Sequence, residues 1–118
     1  MDKFQAIDAF WNLFGIKAYD ENTVPENAAL PYITYEASTA SFDEKIINSA
    51  SLWYETYSWT EISQKAEEIS TFIGGGHSVP YSGGRLWITK EAPFAQRMSD
   101  QSNDLIRRIL LQVGIEFQ

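Results

Sequence analysis

Few residues in this chain of 118 residues could carry catalysis or bind a metal ion. His77 is the only histidine, and there is no cysteine. A metal site would therefore have to combine His77 with carboxylates that show no recognised ligand spacing. We interpret His77 as a residue of a turn or a hairpin edge. We expect no metal site and no cofactor.

The remaining polar motifs do not match the patterns that their chemistry requires. Ser82 lies in a Tyr-Ser-Gly-Gly sequence without the frame of a hydrolase nucleophile. Asp100 and Asp104 are close in sequence but lack the glycine and the terminal glutamate of a calcium loop. The triple glycine 74–76 follows a predicted helix, whereas a phosphate-binding loop precedes one. We therefore expect a protein without catalytic residues.

The composition indicates a compact, acidic domain that is rich in aromatic side chains. The chain is 44% hydrophobic, contains four tryptophans, six tyrosines and seven phenylalanines, and has a formal net charge of −7. An acidic chain is a poor general binder of nucleic acid, because phosphate contacts need lysine and arginine. We expect a single domain over residues 1–118 with no membrane-spanning segment. The second half of the chain contains several basic residues, which we interpret as ordinary surface or interface charges. They are Arg85, Lys90, Arg97, Arg107 and Arg108.

Residues 49–76 change from strand periodicity to helix periodicity within a few positions. Residues 49–57 are rich in strand-favouring aromatic residues, and Ser58 and Glu61 then have the spacing of a capping box. The triple glycine stops the helix. This pattern predicts a strand that leads directly into an amphipathic helix, which packs on a sheet. The apolar residues at helical spacing are Ile62, Ala66, Ile69 and Phe72 or Ile73.

The other elements can be placed around this strand and helix. Pro80 should confine its strand to a sheet edge. In chain order we predict a helix over residues 2–14 that Gly15 ends, a loop over 20–31, a strand over 32–36, a polar loop over 37–44, a hairpin over 77–90 with its turn at 82–84, and a long polar loop over 91–104.

Residues 105–117 fit two structures. As a strand, they alternate between apolar and polar residues with few exceptions. As a helix, residues 104–113 would have apolar residues on all sides, and Gly114 would end the helix. We favour the strand, because the alternation continues to Phe117. The elements together predict an α+β fold, in which two α-helices pack on one face of a four- to five-stranded, mostly antiparallel sheet.

Four phrases of the sequence, taken in order, resemble small structural proteins of long-tailed bacteriophages and prophages. These are the tail terminator proteins, also called tail completion or minor capsid proteins. The resemblance covers residues 30–118 well and the N-terminal helix more loosely. The phrases are PYITYE, SASLWYETYSWTEISQKAEEI, GGGHSVPYSGGRLWI and PFAQRMSDQSNDLIRRILLQVGIEF.

The resemblance implies a tail-terminator-like fold and a structural role. A homohexameric ring would cap the tail tube and join it to the head–tail connector, and DNA would pass through without specific binding. The partners would be further copies of the chain, the tube protein and the connector protein, with no membrane. The location would be the tail or neck of a virion assembled in the bacterial host cytoplasm. The name minor capsid protein leaves open a neighbouring neck position.

Residues 37–48 and 91–104 are candidates for contact with the stacked partners of such a ring, although plain connections would have the same composition. Phe42 is an apolar ring among polar neighbours, and its burial would more naturally come from a partner. The residues that we predict for the assembly interface are Phe42, Asp43, Glu44, Lys45, Phe94, Arg97 and Asp100.

A second hypothesis from a different functional class remains open at the level of sequence. A small non-enzymatic module could stack a sugar or a peptide on Trp53, Trp59 or Trp87. Packing in the core is the commoner role of such rings.

Overall fold

The structure is a computed structural model and describes residues 1–99 and 103–118. These residues contain two helices and a six-stranded sheet. The α+β class and the two helices agree with the prediction, but the sheet is larger than the expected four to five strands. In chain order the elements are α1 (Lys3–Trp11), β1 (Lys17–Asp20), β2 (Tyr32–Tyr35), β3 (Ile46–Glu55), α2 (Thr60–Ile73), β4 (His77–Tyr81), β5 (Gly84–Met98) and β6 (Ile106–Phe117).

The C-terminal strand β6 lies at the centre of the sheet. The strand order is β1-β2-β3-β6-β5-β4, and neighbouring strands are antiparallel except for β1 and β2, which are parallel. The preference for a strand over a helix at the C-terminus is therefore confirmed. Pro80 lies in β4, and the predicted edge position is confirmed as well.

One face of the sheet carries the core. Directly paired residues project from the same side of a sheet, and a buried row crosses four strands in this way. Both helices contribute to the same cluster of buried residues. The row consists of Ala18, Ile33, Leu52 and Ile109, each at most 4% exposed.

Helix α1 contacts both edges of the sheet. It packs against β1 at one edge and against β4 at the other, so the sheet must curl around it. The Tyr35 hydroxyl on β2 donates a hydrogen bond to the Asp8 carboxylate on α1, at 2.7 Å. The N-terminus also joins the β4–β5 hairpin, since the Ser82 amide donates to the Met1 carbonyl at 2.7 Å. These contacts hold the curled sheet closed.

The apolar face of α2 is the face that the sequence predicts. Ile62, Ala66, Ile69 and Ile73 are buried, whereas Phe72 is 42% exposed. Gly74, at a φ of 54°, follows the last helical residue, as expected for a glycine that ends a helix.

The structure differs from the prediction at the end of α1 and at β1. Helix α1 ends at Trp11 instead of continuing to residue 14, because the Asn12 side chain bonds to the carbonyl of Asp8 and accepts from the amide of Ala18. Strand β1 was not predicted, because four residues are too few to show a period. Its strand conformation depends on pairing with β2.

The predicted polar loop over residues 91–104 is also wrong in its first half. Strand β5 continues to Met98 and pairs with β6 on both sides of a register shift between Lys90 and Ala95. Pro93 lies inside this irregularity, where the ladder is already interrupted and its missing N–H costs little. The polar composition reflects exposure of this half of the strand.

The predicted capping box at Ser58 is wrong. Helix α2 begins at Thr60, and its N-cap residue Trp59 makes no side-chain cap. The Ser58 hydroxyl instead accepts from the amide of Thr60 at 3.0 Å, whereas the capping box would need the amide of Glu61. It therefore forms a local turn before the helix. A capping box does occur at α1, where Asp2 and Gln5 each accept from the other's backbone amide at 2.8 Å.

We expect Asp2→Ala to destabilise the protein more than Ser58→Ala does. Loss of an N-cap side chain costs roughly 0.5–2 kcal/mol, whereas Ser58 caps no helix. Urea unfolding followed by circular dichroism gives both free energies of unfolding. Equal losses, or a larger loss for Ser58→Ala, would contradict these cap assignments.

The Tyr35 contact predicts a loss of stability at alkaline pH. Burial, and then the hydrogen bond to Asp8, raise the pKa of Tyr35 well above its ordinary value. The folded state therefore retains the proton more tightly, and stability should fall as pH rises above about 10, the pKa of an unfolded tyrosine.

The variant Tyr35→Phe should be less stable at neutral pH by about 1–3 kcal/mol, because it leaves Asp8 without its donor. Its stability should fall less steeply above about pH 10. Burial also raises the pKa of Tyr54, so the variant should keep part of the decrease in stability with pH. Tyr57→Phe is the control, since Tyr57 is 73% exposed. Identical pH profiles for Tyr35→Phe and the wild type would show that this contact does not link α1 to β2.

Candidate assembly surfaces

The structure divides the predicted interface residues between opposite ends of the central strand. Phe42 lies beside Phe117 at the end of β6, whereas Arg97 is paired with Ile109 near its start. Phe117 lies eight positions after Ile109, which corresponds to roughly 26 Å along a strand. The residues therefore do not form one surface. Asp100 lies outside the described residues.

The ring of Phe42 is partly covered by the protein itself. It makes edge-to-face contacts with Phe4 and Phe117, each at 5.4 Å between ring centroids, and the Lys3 ammonium lies 5.1 Å from its centre. Phe42 is nevertheless 41% exposed, next to the exposed Phe4 and Met1. A partner is therefore not needed to hold the ring in place, but an apolar patch remains accessible at this end.

The loop that carries Phe42 is fixed to the sheet at its end. Lys45 forms an ion pair with Glu91 at 2.6 Å, and this hydrogen bond raises the pKa of Lys45. Both side chains lie over Gly114, where an added Cβ would come 2.5 Å from the Glu91 carboxylate. Asp43 and Glu44 are exposed and belong to neither of the ion pairs found among the described residues. This end of the molecule therefore presents unpaired acids on an anchored loop.

The other end of β6 presents arginines stacked on a tryptophan. The Trp59 ring has the Arg97 guanidinium at 4.9 Å and the Arg107 guanidinium at 5.4 Å. Arg107 also donates to the carbonyls of Asp104 and Tyr57, at 2.7 and 3.0 Å. Phe94 is partly buried against the core, so it offers less surface than expected.

Each of the three tryptophans named as possible ligand-stacking rings already has a stacking or packing neighbour within the chain. Trp53 lies under the Arg108 guanidinium at 4.8 Å, and Trp59 lies beside two guanidinium groups as described above. Trp87 packs over Gly76, so close that no Cβ could be added there. The hypothesis of a ligand-stacking module therefore gains no support from the arrangement of these rings.

His77 packs in an aromatic environment. Its ring lies 4.4 Å from Phe72 and 6.0 Å from Phe10. Within residues 1–99 and 103–118, no group of three or more histidines and carboxylates is placed to hold a metal ion. No helix in the same part of the chain is long and apolar enough to cross a membrane.

Sequence reasoning missed a row of side chains on the face of the sheet opposite the helices. The row crosses five neighbouring strands by direct pairing. It could not be found from the sequence, because it requires the register of all five strands and one of them, β1, shows no periodicity. We call it the outer row; it consists of Lys17, Tyr32, Trp53, Arg108 and Met98.

The stacked arginine predicts a measurable coupling. In a double-mutant cycle on Arg97→Ala and Trp59→Ala, we expect a coupling energy of about 0.5–1 kcal/mol in the free energy of unfolding. The cycle between Arg85→Ala and Trp59→Ala serves as the control, because no stacking joins these two residues. Coupling that is no larger for Arg97 than for Arg85 would contradict the stacked arrangement.

Comparison with known proteins shows a likeness in fold. No family model matches the chain, and no curated protein matches it. A chain from a solved structure described as the virion of a native gene transfer agent (GTA) particle is similar, with a TM-score of 0.62 and 19% sequence identity. The match covers 97% of this chain and 90% of that chain. This protein therefore shares its fold, over nearly its whole length, with a chain of that particle.

Proposed function

We propose that this chain is a structural virion protein that caps a phage tail tube as a ring and joins it to the head connector. The observation that carries the proposal is the fold match over 97% of the chain to a chain of a virion particle. The four sequence phrases that resemble tail terminator proteins support the same role. Its site of action would be the tail or neck of a virion assembled in the host cytoplasm.

The separation of the two candidate surfaces suits a subunit between two different partners. The loop with Phe42, Asp43 and Glu44 lies at one end of β6, and the arginines on Trp59 lie at the other, roughly 26 Å away. One end presents the carboxylates of Asp43 and Glu44, and the other presents guanidinium groups stacked on an indole ring. In the proposed ring, the tube protein would contact one end and the connector protein the other.

The charge of the chain also suits a ring through which DNA passes. The formal net charge is −7, and tight nucleic-acid binding requires a basic surface. An acidic subunit would repel the phosphate backbone and allow it to slide. The copies of the chain around the ring, proposed as six, need no specific contact with DNA.

Reversing the charge of the loop that carries Asp43 and Glu44 should disturb assembly without unfolding the protein. Asp43→Lys with Glu44→Lys alters two exposed side chains, so we expect a change of no more than about 0.5 kcal/mol in the free energy of unfolding. The variant is expressed in cells that carry the phage or prophage without its own copy of the gene, and the lysate is imaged by electron microscopy. Glu21→Lys with Glu26→Lys, on the β1–β2 connection, is the control for the same charge change.

The shape of the particles separates the two structural roles. Tails of irregular or excessive length, with the control normal, support the tail terminator role. Tails of normal length that lie unattached beside leaking heads favour the neck position instead. Intact virions with uniform tails, from the loop variant and from cells without the gene, would contradict both roles.

A further inference from the structure

The outer row is a continuous strip of interface-type side chains on the face that neither helix covers. Lys17 pairs with Tyr32, Tyr32 with Trp53, Trp53 with Arg108 and Arg108 with Met98. Their chain neighbours in β1, β2, β3 and β6 are the buried residues of the helix side, so alternation places the outer row on the opposite side. At about 4.8 Å per strand, the row extends over roughly 19 Å.

The centre of the outer row is held in a fixed geometry. The Trp53 indole donates to the Thr34 hydroxyl at 2.8 Å, and the Arg108 Nε donates to the Ser51 hydroxyl at 3.0 Å. The Arg108 guanidinium also stacks 4.8 Å from the Trp53 ring centre. Side chains that are ordered before binding lose little entropy on binding. Tryptophan, tyrosine and arginine are also the residue types that contribute most to binding energy at protein interfaces.

The solvent face of α2 has the complementary chemistry. Glu61, Glu67 and Glu68 are exposed on it, with Gln64 between them, and Phe72 adds an apolar ring that is 42% exposed. The lysine of this helix, Lys65, is already engaged with Glu68 and the carbonyl of Phe14. The helix face is therefore acidic with an apolar end, whereas the outer row has a cation on each side of its aromatic rings.

We propose that the outer row binds helix α2 of a second copy of this chain. Arg108 and Lys17 would pair with the acids of the neighbouring helix, while Trp53 and Tyr32 provide the apolar contact. Such a contact joins the front of one subunit to the back of the next, and repeated contacts of this kind close into a ring when the rotation allows it. The biological purpose of the contact rests on the proposed function, but the contact itself can be tested without it.

Charge favours a protein occupant over single-stranded nucleic acid. Aromatic rings beside cations can stack bases, but nucleic-acid grooves also follow the backbone with many basic residues. The outer row has two cations, Lys17 and Arg108, in a chain with a net charge of −7. An acidic helix of a few turns can pair with two cations, whereas two cations are too few to follow the backbone of a polynucleotide.

The natural lack of cysteine makes disulfide cross-linking a direct test. One variant carries Glu67→Cys on α2, and a second carries Leu110→Cys, on the outer face of β6 two residues from Arg108. When the two are mixed with a mild oxidant, we expect disulfide-linked heterodimers to form several-fold faster than in a mixture of Glu26→Cys with Leu110→Cys. Circular dichroism of each variant checks that it is folded.

Charge reversal then tests the pairing. When Arg108→Glu is added to the Leu110→Cys variant, cross-linking to the Glu67→Cys variant should become as slow as in the Glu26→Cys control. Adding Arg85→Glu instead should leave the faster rate unchanged. Adding Glu61→Lys and Glu68→Lys to the Glu67→Cys variant should restore cross-linking to the Arg108→Glu protein.

Cross-linking of Glu67→Cys with Leu110→Cys that is no faster than in the Glu26→Cys control would overturn the proposal. Binding of a single-stranded oligothymidylate that Arg108→Glu abolishes would also overturn it.

The outcome is separate from that of the virion experiment. Specific cross-links in a protein that proves absent from virions would establish the contact and reject the proposed function. A normal role in virions without specific cross-links would reject this contact alone.

Discussion

The fold depends on helix α1, which contacts the two edges of one curled sheet. A six-stranded sheet with one apolar face can bury that face only if something fills the concave side. Helix α1 fills it with Ile7, Phe10 and Trp11, each at most 1% exposed. Its contacts with β1 and β4 bring strands together that lie at opposite ends of the strand order. The packing of a helix of nine residues thus sets the curvature of the whole sheet.

The central position of β6 determines how the surfaces are arranged. It is flanked by the two other long strands, β3 and β5, so the three strands together form the long central part of the sheet. Loops at its two ends cannot approach each other. The curled sheet also has two different faces, one covered by both helices and one that presents the outer row. Groups at the two ends of the strand and on the two faces of the sheet therefore point in different directions from the molecule.

Elements with their own periodicity could be predicted from the sequence, whereas elements formed by pairing with neighbours could not. Helix α2 and strand β6 were predictable, because their own periodicity reports which side is buried. Strand β1 and the outer half of β5 were not, because their conformation comes from pairing with neighbours. The cap at Ser58 failed for a local reason, since a hydroxyl that bonds two residues ahead leaves the helix to begin later. The candidate interface residues were chosen from loop composition, which carries no information about the distance between loops. The sequence could therefore not indicate that they lie at opposite ends.

The register shift in β5 has a consequence for solubility. Strand β4 pairs only with Gly84–Ile88, so within the described residues the rest of β5 has a neighbour on one side alone. An exposed, regular strand edge invites pairing with other chains and leads to amyloid-like aggregation. The irregularity at Pro93 removes a donor and bends the edge, and the charged Lys90 and Arg97 flank it. The open part of the β5 edge is therefore less suited to pairing with a strand of another chain than a regular edge would be.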